Sequence, residues 1–283
     1  MKTWALIEAA IARHGACALV TVISSEGSAP RDAGARLVVT AEGFHGTIGG
    51  GTLEWRALAA AQAMLGKGTA MKRSTHSLGP DLGQCCGGRV TLETRVFDRT
   101  SLGEVAALRE REPEQPLRQV YLFGAGHVGK ALVLSLAPLP FDVRWIDPRP
   151  NAFPGAVPRN VTCIASEEPE SILRNAPQGS LAFVMSHSHA LDLAICDAAL
   201  RNMNIARTGL IGSATKRVRF ERRLLEGGVP EPRVKSLICP IGIGGIRSKE
   251  PAAIALATAA QVLSLHEELQ RQETVAPSER ASA

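Results

Sequence analysis

The feature that most constrains this chain is a glycine-rich turn between a short apolar stretch and a helical pattern. Residues 119–123 are mostly apolar, Gly124, Gly126 and Gly129 supply G-x-G-x-x-G, and residues 130–136 continue with helical spacing. Such glycines allow a tight turn, let backbone amides approach a phosphate, and let the helix pack closely on the strand. The pattern therefore predicts a strand–turn–helix unit whose helix N-terminus attracts an anion.

A second strand completes this unit. Residues 143–146 are largely apolar, and Asp147 closes the run. In a Rossmann unit, an acid about 20 residues beyond the glycines holds a ribose hydroxyl. Asp147 is therefore a candidate cofactor-binding residue, and His127 lies inside the turn itself. The alternative is a tight turn that binds nothing.

The second half of the chain continues to alternate between strands and helices. Apolar runs at 161–164, 181–185 and 205–211 are separated by helical patterns, which is typical of a doubly wound parallel sheet. The prediction is an α/β protein in four parts: a small α+β domain (1–98), a linker (99–118), a Rossmann-like domain (119–270) and a disordered tail (271–283).

Composition indicates an ordinary globular protein of two domains. The 283 residues are 45% hydrophobic and 21% charged. No apolar run reaches the roughly 18 residues of a membrane span, and the first residues lack the apolar block of a signal peptide. We therefore expect a cytoplasmic location without membrane contact. Six cysteines in a chain of this length do not indicate a disulfide framework.

The net charge of +5 favours anionic partners in general. The densest basic run, residues 216–223, contains Glu221 and has few aromatic residues nearby. This pattern indicates a solvated helix face, and nucleic-acid binding is not expected.

Two further anion-binding candidates lie in the first half. Gly49, Gly50 and Gly51 precede a helical pattern, where glycine permits close approach of a ligand to the backbone. Arg31 follows Pro30 in a polar loop and can grip a phosphate with two hydrogen bonds. The alternatives are a plain turn and a surface salt bridge.

A cysteine pair in a glycine-rich loop is the clearest thiol candidate. Cys85 and Cys86 follow Gln84 and precede two glycines. A thiolate is a nucleophile and a soft metal ligand, so this loop is a candidate cofactor or metal contact. The alternative is two thiols packed against a strand. No C-x-x-C occurs, so a zinc site is not expected. Three other cysteines are predicted to be core residues: Cys17, Cys163 and Cys196.

Histidines follow the apolar run at 181–185. His187 and His189 are placed at the end of a strand, and ligands of open α/β sheets bind at the carboxyl ends of strands. Together with His127 they could bind phosphate, shuttle protons or hold a metal. The alternative is loop histidines that hydrogen-bond only to backbone.

The sequence contains no recognisable hydrolase arrangement, such as H-E-x-x-H or a P-loop. A nicotinamide-dependent oxidoreductase that uses the glycine turn is the alternative enzyme hypothesis. Against it, Tyr121 is the single tyrosine and lies in a predicted strand, so no Tyr-x-x-x-Lys pair exists.

Taken together, the motifs resemble the XdhC/CoxI family, the accessory proteins of xanthine dehydrogenase and related molybdenum hydroxylases. The resemblance spans almost the whole chain up to about residue 263 and is carried by six segments: GSAPRDAGA (27–35), TIGGGTLE (47–54), GQCCGG (83–88), FGAGHVG (123–129), WIDPR (145–149) and PIGIGGIRSKEPAAIA (240–255).

The resemblance implies an accessory protein, not an enzyme, that binds molybdenum cofactor (molybdopterin). It would protect the cofactor while a cysteine desulfurase installs a sulfido ligand, and then pass it to the molybdenum-binding subunit of xanthine dehydrogenase. A homodimer is also implied. We expect the ligand between the two domains, its phosphate at Gly124–Gly129 or Gly49–Gly51, and Cys85 or Cys86 near the metal. A separate nucleotide, or NAD(P), at the Rossmann-like unit is an alternative, as is an assembly factor that contacts only protein.

Overall fold

The computed structural model of the chain describes residues 3–67, 70–78, 87–112 and 116–280, apart from the side chains of 274–280. The chain divides into two compact units, Met1–Gln115 and Pro116–Ala283. Gln84, Cys85 and Cys86 lie outside the described residues, and their roles stay predictions.

The first unit is an antiparallel sheet with helices on both faces. The sheet order is β3-β2-β1-β5-β4. Its elements are α1 (Thr3–His14), β1 (Ala16–Glu26), β2 (Arg36–Val39), β3 (Phe44–Gly46), α2 (Gly51–Lys67), β4 (Met71–Ser77), β5 (Arg89–Asp98) and α3 (Leu102–Arg111).

A continuous apolar run along β1 explains why both faces of this sheet are covered. Cys17 and Leu19 pack with α1 and α3, whereas Ala18, Val20 and Val22 pack with α2. Successive side chains of a strand point to opposite faces, so an unbroken apolar strand requires a layer on each side.

The second unit is a parallel sheet with order β10-β9-β6-β7-β8. Its elements are β6 (Arg118–Phe123), α4 (His127–Leu136), β7 (Phe141–Asp147), β8 (Val161–Ala165), β9 (Ser180–Val184), α5 (His189–Arg201), β10 (Ile205–Leu210), α6 (Ala214–Glu226), α7 (Glu231–Lys235) and α8 (Pro251–Arg280).

The central strand β6 shows the doubly wound arrangement directly. Val120 and Leu122 pack with α4 and α8, whereas Tyr121 and Phe123 pack with α5, α6 and α7. Burial of both faces is typical of parallel sheets. The predicted α/β organisation, a small α+β unit followed by a Rossmann-like sheet, is confirmed. The chain order reverses between β6 and β9, which is where such sheets bind ligands.

Two segments differ from the sequence-based expectations. Residues 99–118, expected to form a short helix and a linker, do contain a helix, α3, but this helix is part of the first unit because it packs Val105 into the core of that unit. Residues 271–280 of the predicted disordered tail continue α8. The tail is polar, but Gln, Arg and Glu are good helix formers, and Arg118 of β6 donates to Glu273 at 2.9 Å.

Within the described ranges, no helix has both the length and the apolar character needed to cross a membrane. Cys17 and Cys196 are fully buried, as predicted, and burial raises the pKa of the Cys17 thiol to about 12. Cys163 is half-buried in β8.

Candidate functional site

The turn between β6 and α4 is built by backbone contacts that only glycine allows. Gly124 has φ +115°, and a Cβ there would lie 2.3 Å from the carbonyl oxygen of Met185. A Cβ on Gly129 would lie 2.1 Å from the carbonyl oxygen of Gly124. Trp145 Nε1 also donates to that oxygen at 3.1 Å. The turn is therefore held closely against the loop after β9 and against β7.

Asp147 ties the same turn to the end of β7. Its side chain is fully buried. Oδ2 accepts from Ala125 N at 2.8 Å and from Arg149 Nη2 at 2.9 Å, and Oδ1 accepts from Arg149 N and Nε at 3.0 and 2.8 Å.

Burial alone would raise the pKa of Asp147, but the hydrogen bonds from Arg149 and Ala125 outweigh it and lower the pKa to about 2. The carboxylate is thus ionised, and it accepts its hydrogen bonds from groups of the protein itself. A ribose hydroxyl would have to displace Arg149 to take the role predicted for Asp147.

The N-terminus of α4 keeps unused donors. Gly126 is the N-cap and carries no side chain to accept from the first turn. The first bond of the helix runs from Lys130 N to Gly126 O. Among the described residues, no hydrogen bond occupies the amides of Gly126, His127 or Val128. Gly126 and His127 are exposed, so these amides lie uncovered at the positive end of the helix dipole, the kind of position where anions bind.

The predicted histidines lie at the same edge of the sheet. Met185 N donates to Phe123 O at 2.8 Å, which joins the loop after β9 to the end of β6. His187 and His189 follow in that loop and are exposed, as is His127. In the part of the chain that the structure describes, no three His, Cys, Asp or Glu side chains are grouped to hold a metal. The three histidines are therefore placed to meet a ligand, without the geometry of a metal centre.

Sequence reasoning missed a buried ion pair behind this edge. Asp192 of α5 is fully buried and accepts from Ser186 N and Oγ at 3.0 and 2.6 Å. Lys216 Nζ of α6 lies 2.7 Å from Asp192 and donates to Ile211 O at 2.9 Å. The pair joins the loops after β9 and β10.

The interpretation of the basic run as a solvated face is therefore wrong for Lys216, which is 13% exposed. Nothing in its sequence neighbourhood signals a partner 24 residues away. The interpretation as a solvated face holds for Arg219, Arg222 and Arg223, which are exposed.

In the second glycine loop, before α2, the amides of residues 48–50 donate to the protein's own side chains. Glu54 accepts from Ile48 N at 2.9 Å, from Gly50 N at 3.2 Å and from the hydroxyl of Thr47. Burial raises the pKa of Glu54, but these hydrogen bonds outweigh it, so the net shift is downward. Of the three glycine amides predicted to receive a ligand phosphate, that of Gly50 holds the protein's own carboxylate and that of Gly49 donates to Thr47 Oγ1 at 3.0 Å.

Three segments of the first unit meet around this loop. A Cβ on Gly49 would lie 2.6 Å from the ring of Pro30 and 3.6 Å from Cγ of Arg31. A Cβ on Gly88 would lie 2.3 Å from Ser28 O. The loop of Arg31 thus packs against Gly49 and beside the glycines that follow Cys85-Cys86, and the Arg31 side chain is exposed.

Comparison with known proteins agrees with both units. Residues 120–262 match the family model of the XdhC Rossmann domain, and residues 10–76 match that of the XdhC and CoxI family. A solved structure from Bacillus halodurans, described as a xanthine dehydrogenase, has the same fold, with a TM-score of 0.77 at 18% identity over 95% of this chain and 96% of that one.

A curated relative from Escherichia coli K12, YqeB, described as uncharacterized, is 29% identical over 257 residues. The match covers 88% of this chain but 43% of YqeB, so the chain spans less than half the length of that relative. The domain match over residues 120–262, about half of the chain, decides the assignment. The chain belongs to the XdhC and CoxI family.

Proposed function

We propose that this protein is an accessory factor that binds molybdenum cofactor and protects it while its terminal sulfido ligand is installed. It then passes the cofactor to the molybdenum-binding subunit of xanthine dehydrogenase or a related hydroxylase. Family membership supports the general role. A cysteine desulfurase would supply the sulfur, and a homodimer is the proposed assembly.

One observation carries the proposal to a specific position. The amides at the start of α4 have no acceptor among the described residues, whereas in the other loop the amides of Ile48 and Gly50 donate to Glu54 and that of Gly49 donates to Thr47. A phosphate would accept from the first set of donors without displacing a protein group, whereas at Gly50 it would compete with the carboxylate of Glu54. We therefore place the cofactor phosphate at Gly124–Gly129.

The chain's own groups would hold the cofactor in complementary ways. Backbone amides of Gly126 and His127 would bind the phosphate, with the helix dipole favouring its charge. The exposed imidazoles of His187 and His189 lie at the same edge and can donate to anionic oxygens. Cys85 or Cys86 is proposed as a soft contact to molybdenum, which is the chemistry that thiolates favour.

The test is to express the full chain in a host that makes molybdenum cofactor, then measure pterin by fluorescence after oxidation, and molybdenum by elemental analysis. About one pterin and one molybdenum per chain is expected. Cys85→Ser/Cys86→Ser should lose molybdenum more than pterin. Cys163→Ser is the matched control, because it removes a thiol from β8 and should leave both contents unchanged.

Folded protein without pterin would overturn the proposal. Full molybdenum retention in the double serine variant would overturn the thiol contact alone.

A further inference from the structure

We infer that Arg149 makes the Rossmann unit selective for a nucleotide whose ribose carries a phosphate monoester. This inference rests on the proposed use of the α4 turn as a phosphate site. It concerns the next position along a bound nucleotide, where the end of β7 meets the ribose in Rossmann units.

The first step is that the ribose-binding acid is not available. Both oxygens of Asp147 accept hydrogen bonds from Ala125 and Arg149, and the side chain has no exposed surface. An unmodified ribose diol needs a free carboxylate to accept from its hydroxyls, so this unit lacks the feature that recognises NAD-type ribose.

The second step is that a cation takes the place of that acid at the surface. The side chain of Arg149 is 51% exposed. Its Nε and Nη2 donate to Asp147 at 2.8 and 2.9 Å, which fixes the guanidinium plane. Nη1 donates to no group among the described residues, so one edge of the guanidinium faces solvent with two parallel N–H groups.

The third step is the match between this edge and a phosphate. A guanidinium edge binds two phosphate oxygens in fork geometry, and an arginine near the ribose is how Rossmann units accommodate a 2′-phosphate. Since Asp147 already holds the arginine in place, little rotamer freedom remains to be lost on binding. A ribose hydroxyl offers neither charge nor a second acceptor to this edge.

The test compares NADP⁺ with NAD⁺, which differ only by the 2′-phosphate. Isothermal titration uses the full chain from a host without molybdenum cofactor synthesis, so that no pterin competes. Wild type should bind NADP⁺ at least ~10-fold more tightly than NAD⁺. Arg149→Gln should abolish the preference for NADP⁺, because it weakens NADP⁺ binding and also releases Asp147 to accept from the ribose hydroxyls of NAD⁺. Arg149→Lys should keep part of the preference.

Equal affinities in the wild type, or no binding of either nucleotide, would overturn the inference without requiring any variant to fold. A preference that survives in folded Arg149→Gln would also overturn it. Pterin content is measured separately, so a failure of the carrier function can be told apart from a failure of the role of Arg149. A chain that prefers NADP⁺ but never carries pterin contradicts only the carrier function, and a pterin-loaded chain without nucleotide preference contradicts only the role of Arg149.

Discussion

The two glycine loops of this protein both precede a helix, but they differ in whether a carboxylate of the protein accepts hydrogen bonds from their amides. Each has glycines at the beginning of a helix, and each presents backbone amides at a helix N-terminus. In the first unit, Glu54 folds back and accepts from Ile48 and Gly50. In the second unit, Asp147 accepts from a single amide of the turn, that of Ala125, and leaves the amides at the start of α4 without an acceptor among the described residues.

The difference teaches that glycine spacing alone does not define an anion site. An acid within the first turn of the same helix can satisfy the loop internally, in the way a capping box does. An acid on a neighbouring strand can accept from one amide of the loop and leave the amides of the helix N-terminus available to a ligand. The acid's position therefore decides whether the loop is structural or available to a ligand.

The largest loss of stability is expected when a side chain is added at Gly129, where α4 packs against its own turn. Gly129→Ala places a methyl group 2.1 Å from the backbone oxygen of Gly124, and neither backbone segment can move away easily. We expect a loss of about 3 kcal/mol or more in the free energy of unfolding. Gly126→Ala is the control, since its Cβ meets nothing within 4 Å. Denaturant unfolding of both variants measures the difference, and equal stabilities would contradict the close packing.

The next largest change in the free energy of unfolding is expected when Asp147, which holds the turn before α4, is replaced. The pKa of Asp147 is depressed from 3.8 to about 2. Its stabilising contribution, about 2 kcal/mol, is therefore fully present above pH 4 and is lost as pH falls through 2. Asp147→Asn should be less stable than wild type by about this amount at pH 7, and the two should converge near pH 2. Parallel unfolding curves at all pH values would argue against the role of this carboxylate.

A smaller loss of stability is expected when Glu54, which accepts from the loop before α2, is removed. Glu54→Ala leaves the amides of Ile48 and Gly50 without an acceptor and should cost about 1–2 kcal/mol, because Glu54 is partly exposed. The lowered pKa of Glu54 means that its contribution is present above pH 4.5 and fades below it.

The same variant should convert the loop into an anion site. Phosphate should slow hydrogen exchange in peptides covering residues 47–54 of Glu54→Ala and leave those peptides unchanged in wild type. Glu54→Gln, which keeps most of the side chain, is the control for packing. Phosphate protection of this loop in wild type would show that Glu54 does not close it.

The smallest effect on stability comes from closing the open loop in the same way. Gly126→Asp places a carboxylate at the N-cap of α4, in extended backbone geometry with space for a side chain. We expect a gain of about 0.5 kcal/mol, because aspartate caps a helix and complements its dipole. Cofactor content should fall sharply.

Gly126→Asn is the isosteric control, with the same cap and no charge. It should retain more pterin than Gly126→Asp. Equal pterin contents in the aspartate variant and in wild type would place the phosphate elsewhere.

Much of the fold was predictable because the signals are local. The spacing of Gly124, Gly126 and Gly129 after an apolar run predicts the strand, turn and helix that the structure shows. Strands at β8, β9 and β10 follow from the short apolar runs at 161–164, 181–185 and 205–211. The role of Glu54 also had a signal, since an acid in the first turn of a helix is a known partner for its amides.

Other features were beyond local reasoning. The short helix α3 was expected to belong to a linker, because its charged residues gave no sign that Val105 would be buried in the first unit. The pair of Asp192 and Lys216 depends on two loops that meet at one edge of the sheet, although 24 residues separate the two side chains. An ionised group in a run of charges looks solvated until the tertiary structure supplies a buried partner.

The sequence by itself determined the order of elements, the family resemblance and the presence of two glycine loops, because periodicity, glycine spacing and motif order are properties of neighbouring residues. Only the tertiary structure decided that Glu54 fills one loop, that Asp147 is buried behind the other, and that Arg149 is held facing outward. Which donors of a loop are satisfied depends on side chains brought together by folding, and hydrogen-bond geometry exists only once those distances are set.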